Sequence, residues 1–182
     1  MQKMQRSYIA HMTISHTKSH ITPKQFLEKI VVNVGVGRLG QQQNFEDKIL
    51  VQVKRDLAAI TGQAAHPRPS TRSIAGFRMR EGQIVGLRVT LRGQKMVDFF
   101  TRLIMIVLPR VRDFRGIART AVDAGGTLNL GITEHTVFPE INPEHSPMIF
   151  SLGISVVPKK RIRKEALEAY QAFEVPLTRD AK

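Results

Sequence analysis

The chain has 182 residues, with 28 Lys plus Arg against 15 Asp plus Glu, a formal net charge of +13 and a pI of about 10.8. Apolar residues make up 42% and Cys is absent, so a core is available while a disulfide framework, a thiolate zinc site and a Cys nucleophile are excluded. The longest apolar run, Leu103 to Leu108, is far short of the ~18 residues that span a bilayer. So high a positive charge on a small domain points to a polyanion partner, RNA or DNA, and to no membrane.

The first acid is Glu28, and residues 1–27 are basic and hydroxyl-rich. They read as a basic arm that orders on a partner, with a transit peptide as the alternative. Ile30, Val32, Val34 and Val36 then alternate with Lys29, Val31, Asn33 and Gly35, which predicts a strand. After a Gly-rich loop, Asn44 can cap a helix with the apolar stripe Phe45, Ile49, Val53, Leu57 and Ile60, ended by Gly62. A Pro-containing stretch, 64–70, follows, then a basic stretch punctuated by Gly, 71–86. A second strand alternates Val85, Leu87, Val89 and Leu91 with Gly86, Arg88, Thr90 and Arg92. Met96 to Val107 predicts a helix apolar over most of its circumference, deeply buried and stopped by Pro109. Two more strands follow, around Leu128–Ile132 and Phe150–Val156, and a last helix covers roughly Arg163–Phe173. No linker divides the chain, so the expectation is an arm (1–27), one domain (28–177) and a short tail (178–182).

Alternating strands are those of a largely antiparallel sheet with helices packed on one face, an α+β fold. The other face then collects Lys29, Asn33, Arg88, Thr90, Arg92, Asn129, Thr133, Ser151 and Ser155, with no carboxylate. Such a surface suits phosphate and sugar. It has no aromatic residue, which argues against a platform for stacking unpaired bases and for binding through backbone and helix shape.

Gly35-Val36-Gly37-Arg38-Leu39-Gly40 matches G-x-G-x-x-G, the fingerprint of a dinucleotide site. The helix pattern, however, starts only at Asn44, and the acid about 20 residues on, Asp56, lies inside that helix. A plain turn is the simpler reading, and a nucleotide-dependent enzyme is kept as the alternative function. His11, His16 and His20 have irregular spacing and no nearby acid, so no metal site is expected. His135 beside Glu134 would point to the opposite face of a strand, and no catalytic constellation emerges. Asp98, Asp113 and Asp123 read as local ion-pair partners. Three basic segments stand out: Arg68 to Lys95, with seven cations against Glu81; Arg110, Arg112, Arg115 and Arg119; and Lys159, Lys160, Arg161, Arg163 and Lys164.

The strings KIVVNVGVG (29–37), LAAITGQ (57–63), SIAGFRMREG (73–82), VTLRG (89–93), LPRVRDFRG (108–116) and VFPEI (137–141) closely resemble, in order and spacing, the bacterial-type large-subunit ribosomal protein five family. The resemblance runs from about Lys29 to Leu177. It implies a concave antiparallel sheet and a non-catalytic structural protein of the cytoplasmic ribosome, without cofactor. An organelle ribosome stays open because of the arm. It further implies binding of 5S rRNA and its attachment to large-subunit rRNA in the central protuberance. Contact with the P-site tRNA, and with a small-subunit head protein in an intersubunit bridge, is implied as well. By motif position Asn33, Gln63 and Thr90 would meet the 5S backbone, with Arg68, Arg72, Arg88 and Arg92 beside them. Ser73, Arg78 and Arg80 would reach RNA and tRNA, and Arg112, Asp113 and Arg115 would lie on the bridge side. The chain departs from the family in its acid-free arm, in the segment 123–127, and in the basic run 159–164, which is commonly acidic there. A general basic RNA chaperone is the remaining alternative.

Overall fold

A computed structural model describes residues 21–37, 39–41, 45–77 and 79–178. Most of the arm, its three His residues, Arg38, Asn44, Arg78 and residues 179–182 lie outside the described residues. Five strands, β1 (Leu27–Gly35), β2 (His66–Pro69), β3 (Ile84–Leu91), β4 (Leu128–Ile132) and β5 (Leu152–Pro158), form one sheet in the order β2-β3-β1-β5-β4. All four pairings are antiparallel. The longer helices are α1 (Leu50–Thr61), α2 (Gly93–Arg102) and α3 (Arg163–Ala172), and a helical turn, Pro23–Phe26, precedes β1.

The alternation does what its period requires. Ile30, Val32 and Val34 of β1, Leu87, Val89 and Leu91 of β3, and Ile154 and Val156 of β5 are buried on one face. The helices cover that face with Val53, Leu57, Ile60, Phe99, Phe100, Ala166 and Tyr170. Phe26 meets Tyr170 edge-on at 5.4 Å between ring centroids, so the turn before β1 is part of the same core. Gly62 ends α1 at φ +66°, the left-handed position that favours Gly.

Three expectations need correction, and one strand was not foreseen. Residues 66–69, within the Pro-containing stretch, form the edge strand β2, with His66 opposite Arg88 and Arg68 opposite Gly86. Pro67 and Pro69 hid it; an edge strand tolerates the donors they lack. Pro109 does not stop the second helix, which runs through a π turn (Leu103–Val107) into a last turn, Leu108–Arg110. The π turn shifts the ladder, so that the Leu108 N–H bonds Leu103 O. Nor is that helix buried all round, since Met105 and Ile106 are more than 40% exposed. Finally, Asp98 and Asp123 have no cation partner among the described residues and accept hydrogen bonds from the Gln94 amide (2.8 Å) and the Thr127 N–H (2.8 Å).

A buried polar network ties α1 to the connection between β4 and β5. Ser146 Oγ donates to Asp56 Oδ2 (2.5 Å), and Gln52 Nε2 donates to Ser146 Oγ (2.7 Å) and to Met148 O (3.2 Å). His135, fully buried and stacked on Phe150 at 3.9 Å, places Nε2 2.8 Å from Ser146 Oγ. Its Nδ1 faces the Phe150 N–H at 3.4 Å, so the neutral ring with hydrogen on Nε2 satisfies both sides. Burial holds the imidazole below its ordinary value of 6.5, against the pull of Asp56 and the Phe150 contact. The unfolded chain therefore takes up this proton first as the pH falls. The stability that neutral His135 contributes is full above pH 6.5 and is lost as the pH drops through the lowered folded value. Urea unfolding between pH 7.5 and 5 should show the wild type losing more stability on acidification than His135→Gln. Parallel profiles would contradict the assignment.

Candidate nucleic-acid interface

The register defines the face that the helices leave bare. One row across the sheet is His66, Arg88, Asn33, Gly153 and Gly131; the next is Thr90, Val31, Ser155 and Asn129. Arg68, Gly86 and Gly35 form a third row on the other side. Asn33 and Thr90 thus share one face, as the alternation predicts. Arg88 Nε donates to Asn33 Oδ1 (3.2 Å), and Ser155 Oγ donates to Asn129 Oδ1 (2.8 Å). With the Asn33 carbonyl occupied, its NH2 is the group left to donate to a ligand. A shallow depression lined by Asn33, Gly35, Arg68, Gly86 and Arg88 lies at this point. A Cβ built on Gly35 or Gly131 would meet no atom within 4 Å, so bare backbone forms part of the floor.

Gln63 lies outside any strand pattern, yet it belongs here. The pairing of β2 reaches only as far as Arg88, which leaves the outer edge of β3 open beyond that point. Gln63, just past the α1 cap, fills the edge by donating from Nε2 to Thr90 O (3.3 Å). The Thr90 backbone carbonyl is thereby satisfied and its hydroxyl remains for a partner.

Two properties of this face escape the sequence. A carboxylate does stand at its margin: Glu28 lies 3.3 Å from Lys29 Nζ, 3.7 Å from Arg92 Nη1 and 3.9 Å from Arg161 Nη2. Hydrogen bonding and charge from Lys29 hold the Glu28 carboxyl below its ordinary range. The strand register slips between Leu27 and Lys29, so Glu28 is the extra residue of a bulge and alternation misplaces it. A ring is also present, since His66 of the unforeseen strand β2 shares the row of Arg88 and Asn33.

Arg72, Ser73 and Arg80 are exposed in the loop between β2 and β3. This loop is pinned at its base by Ser70 N–H to Gln83 O (2.8 Å), and nearer its tip by mutual Ile74–Met79 hydrogen bonds of 3.0 and 3.2 Å. Ser73 Oγ donates to Met79 O (3.0 Å). Arg112, Asp113 and Arg115 are not on the sheet face but exposed in the turn after the second helix, with Asp113 at φ +54°. Arg112 lines a groove with Arg110, Thr133 and Glu134 at the end of β4.

Two comparisons fit this arrangement. Residues 23–80 match the family described as ribosomal protein L5, and residues 84–177 match the model of that ribosomal family's C-terminus. The chain belongs to the ribosomal protein L5 family. It is 44% identical over 150 residues to the large ribosomal subunit protein uL5 of Rubrobacter xylanophilus, covering 82% of this chain and 81% of that one. The uL5 proteins of Halothermothrix orenii (39%; 82% of each chain) and Chlorobaculum tepidum (41%; 82% of this chain, 80% of that one) are similar. Membership of the L5 family makes the chain a structural constituent of the large ribosomal subunit, with rRNA as partner, and not an enzyme. The Gly35–Gly40 motif is accordingly not a dinucleotide site: β1 is antiparallel to both neighbours, and Leu39–Gln41 forms a short 3-10 turn. Asp56, the acid a dinucleotide site would use, is buried in the Ser146 network instead.

Proposed function

We propose that the helix-free face of this L5-family protein binds 5S rRNA through phosphate and ribose and so attaches it to the large subunit. The observation that carries this is the grouping of Asn33, Arg88, Thr90 and Gln63, held by the Arg88–Asn33 and Gln63–Thr90 hydrogen bonds. A neutral amide and a hydroxyl flanked by Arg88 and Arg68 suit the 2′-OH and phosphates of a folded RNA. In the same reading the exposed loop with Arg72, Ser73 and Arg80 reaches the P-site tRNA. The turn with Arg112, Asp113 and Arg115 meets a protein of the small-subunit head across the intersubunit space, in a bridge. Residues 28–177 act as one RNA-binding unit and the preceding basic segment supports it.

The test is a gel-shift series at fixed salt with 5S rRNA and an unrelated RNA duplex. Asn33→Ala combined with Thr90→Ala is expected to cost about 1–3 kcal/mol of 5S binding, the range for two neutral hydrogen bonds in a buried contact. The unrelated duplex should respond little. Unaltered 5S affinity in the double variant would refute the assigned face. Equal wild-type affinity for both RNAs would favour a general RNA chaperone.

A further inference from the structure

His66 stands on the edge strand β2, opposite Arg88, with Arg68 two positions on in the adjoining row, and all three residues are exposed. Its Nδ1 lies 2.7 Å from Pro67 O. A carbonyl oxygen accepts and does not donate, so the hydrogen of this contact is carried by Nδ1. In the neutral ring Nε2 then holds a lone pair and no hydrogen. Among the described residues nothing hydrogen-bonds to Nε2. The polar groups around it are donors: the Arg68 and Arg88 guanidinium groups, and the NH2 of Asn33, whose carbonyl is taken by Arg88 Nε. The edge of the bare face therefore carries one vacant acceptor, with a cation across the strand pair and another along the strand.

We infer that His66 is a specificity-determining residue of this face, accepting at Nε2 a hydrogen bond from a ribose 2′-OH of the bound RNA. The inference rests on the 5S reading of the face given above. Phosphate oxygens bring no hydrogen, so a lone pair on Nε2 repels them, and they fall to Arg68 and Arg88. A ribose hydroxyl does bring one, and the wide minor groove of folded RNA displays 2′-OH groups between its phosphates. Cation, acceptor and cation at the edge of the sheet thus match phosphate, hydroxyl and phosphate in the ligand. Stacking is the poorer use of the ring. Among the described residues of the three rows His66 is the only ring, and one ring makes no platform for successive bases. DNA lacks the 2′-hydroxyl, so the contact also separates RNA from DNA.

The test is a binding cycle that varies protein and RNA together. 5S rRNA is transcribed with each nucleotide type in turn supplied as its 2′-deoxy analogue, and the full chain is titrated with these transcripts and with the natural one. Wild type should lose about three- to tenfold on at least one deoxy transcript, as the loss of a hydrogen bond requires. His66→Phe keeps a ring on the strand but has no acceptor. It should bind natural 5S weaker by that factor, and its own loss on the same deoxy transcript should shrink by as much. His66→Gln, whose amide oxygen reaches the place of Nε2, should recover most of the affinity. Any effect of deoxyribose on the RNA fold is shared by all variants and drops out of the cycle. Additive losses in His66→Phe would overturn the proposal. So would a loss in that variant that no deoxy transcript reproduces, the mark of a base or phosphate contact, or a nitrogen NMR spectrum of the free protein that places the imidazole hydrogen on Nε2. Each of these leaves 5S binding by the face intact. If wild type instead binds natural 5S no better than an unrelated duplex, the reading of the open face falls and the His66 contact with it.

Discussion

Asp56→Ala should destabilise the protein by about 1–3 kcal/mol, the usual cost of leaving buried donors without their acceptor. The carboxylate is 4% exposed and accepts from Ser146 Oγ, from Gln52 Nε2 (3.3 Å) and from the neighbouring Arg55 (3.3 Å). Deleting it leaves the Ser146 hydroxyl, and behind it the His135 N–H, without the acceptor that orders them. The loss spreads because the network crosses the fold. Asp56 sits on α1, Ser146 lies 90 positions later, and Arg55 also holds His145 O at 2.6 Å. Asp56→Asn keeps the shape and should cost less. Asp98→Ala, which removes one exposed acceptor of the Gln94 amide, should cost under about 0.5 kcal/mol. Equilibrium urea unfolding of the three variants checks the order. Similar midpoints for Asp56→Ala and Asp98→Ala would mean that the network contributes nothing. Because no member lies on the open face, RNA binding by the folded fraction should be unchanged.

The parts legible in the sequence are those with a period. Four strands and the covered and bare faces follow from alternation around Val32, Val89, Leu130 and Ile154, and Asn33 and Thr90 come with them. What lacks a period stayed hidden. β2 carries prolines that leave no strand pattern, and Glu28 sits in a bulge. Gln63 reaches the site from a helix end, where spacing gives no face; only its place in the LAAITGQ string, through family resemblance, marks it. The Asp56–Ser146–His135 network joins residues that no local pattern connects, so Asp56 shows in sequence only as one more acid on a helix. The second helix misled in a different way. It is apolar over most of its circumference and reads as deeply buried, yet it contains a π turn in which Met105 and Ile106 face solvent.

Gly126→Ala is expected to cost about 3 kcal/mol or more, because two independent demands fall on this residue. Its φ is +76°, a region in which a Cβ costs roughly 1–2 kcal/mol. The added methyl would also stand 2.7 Å from Ala166 Cβ, with Ile162 O and Pro158 Cγ at 3.4 Å. Overpacking of this kind typically adds about 1–3 kcal/mol. Relief requires α3 to move away from the sheet, and that motion pulls Tyr170. The Tyr170 hydroxyl lies 3.0 Å from Gly126 O and 3.1 Å from Val156 O, and burial holds its pKa well above the ordinary phenol value. The neighbouring Gly125 supplies the control. A Cβ there would touch only Asp123 Oδ1, at 3.4 Å, and its φ is not in the left-handed region. Gly125→Ala should therefore stay within about 0.5 kcal/mol of wild type. Thermal unfolding of both variants decides the matter, since equal melting temperatures would show that α3 is free to shift at no cost.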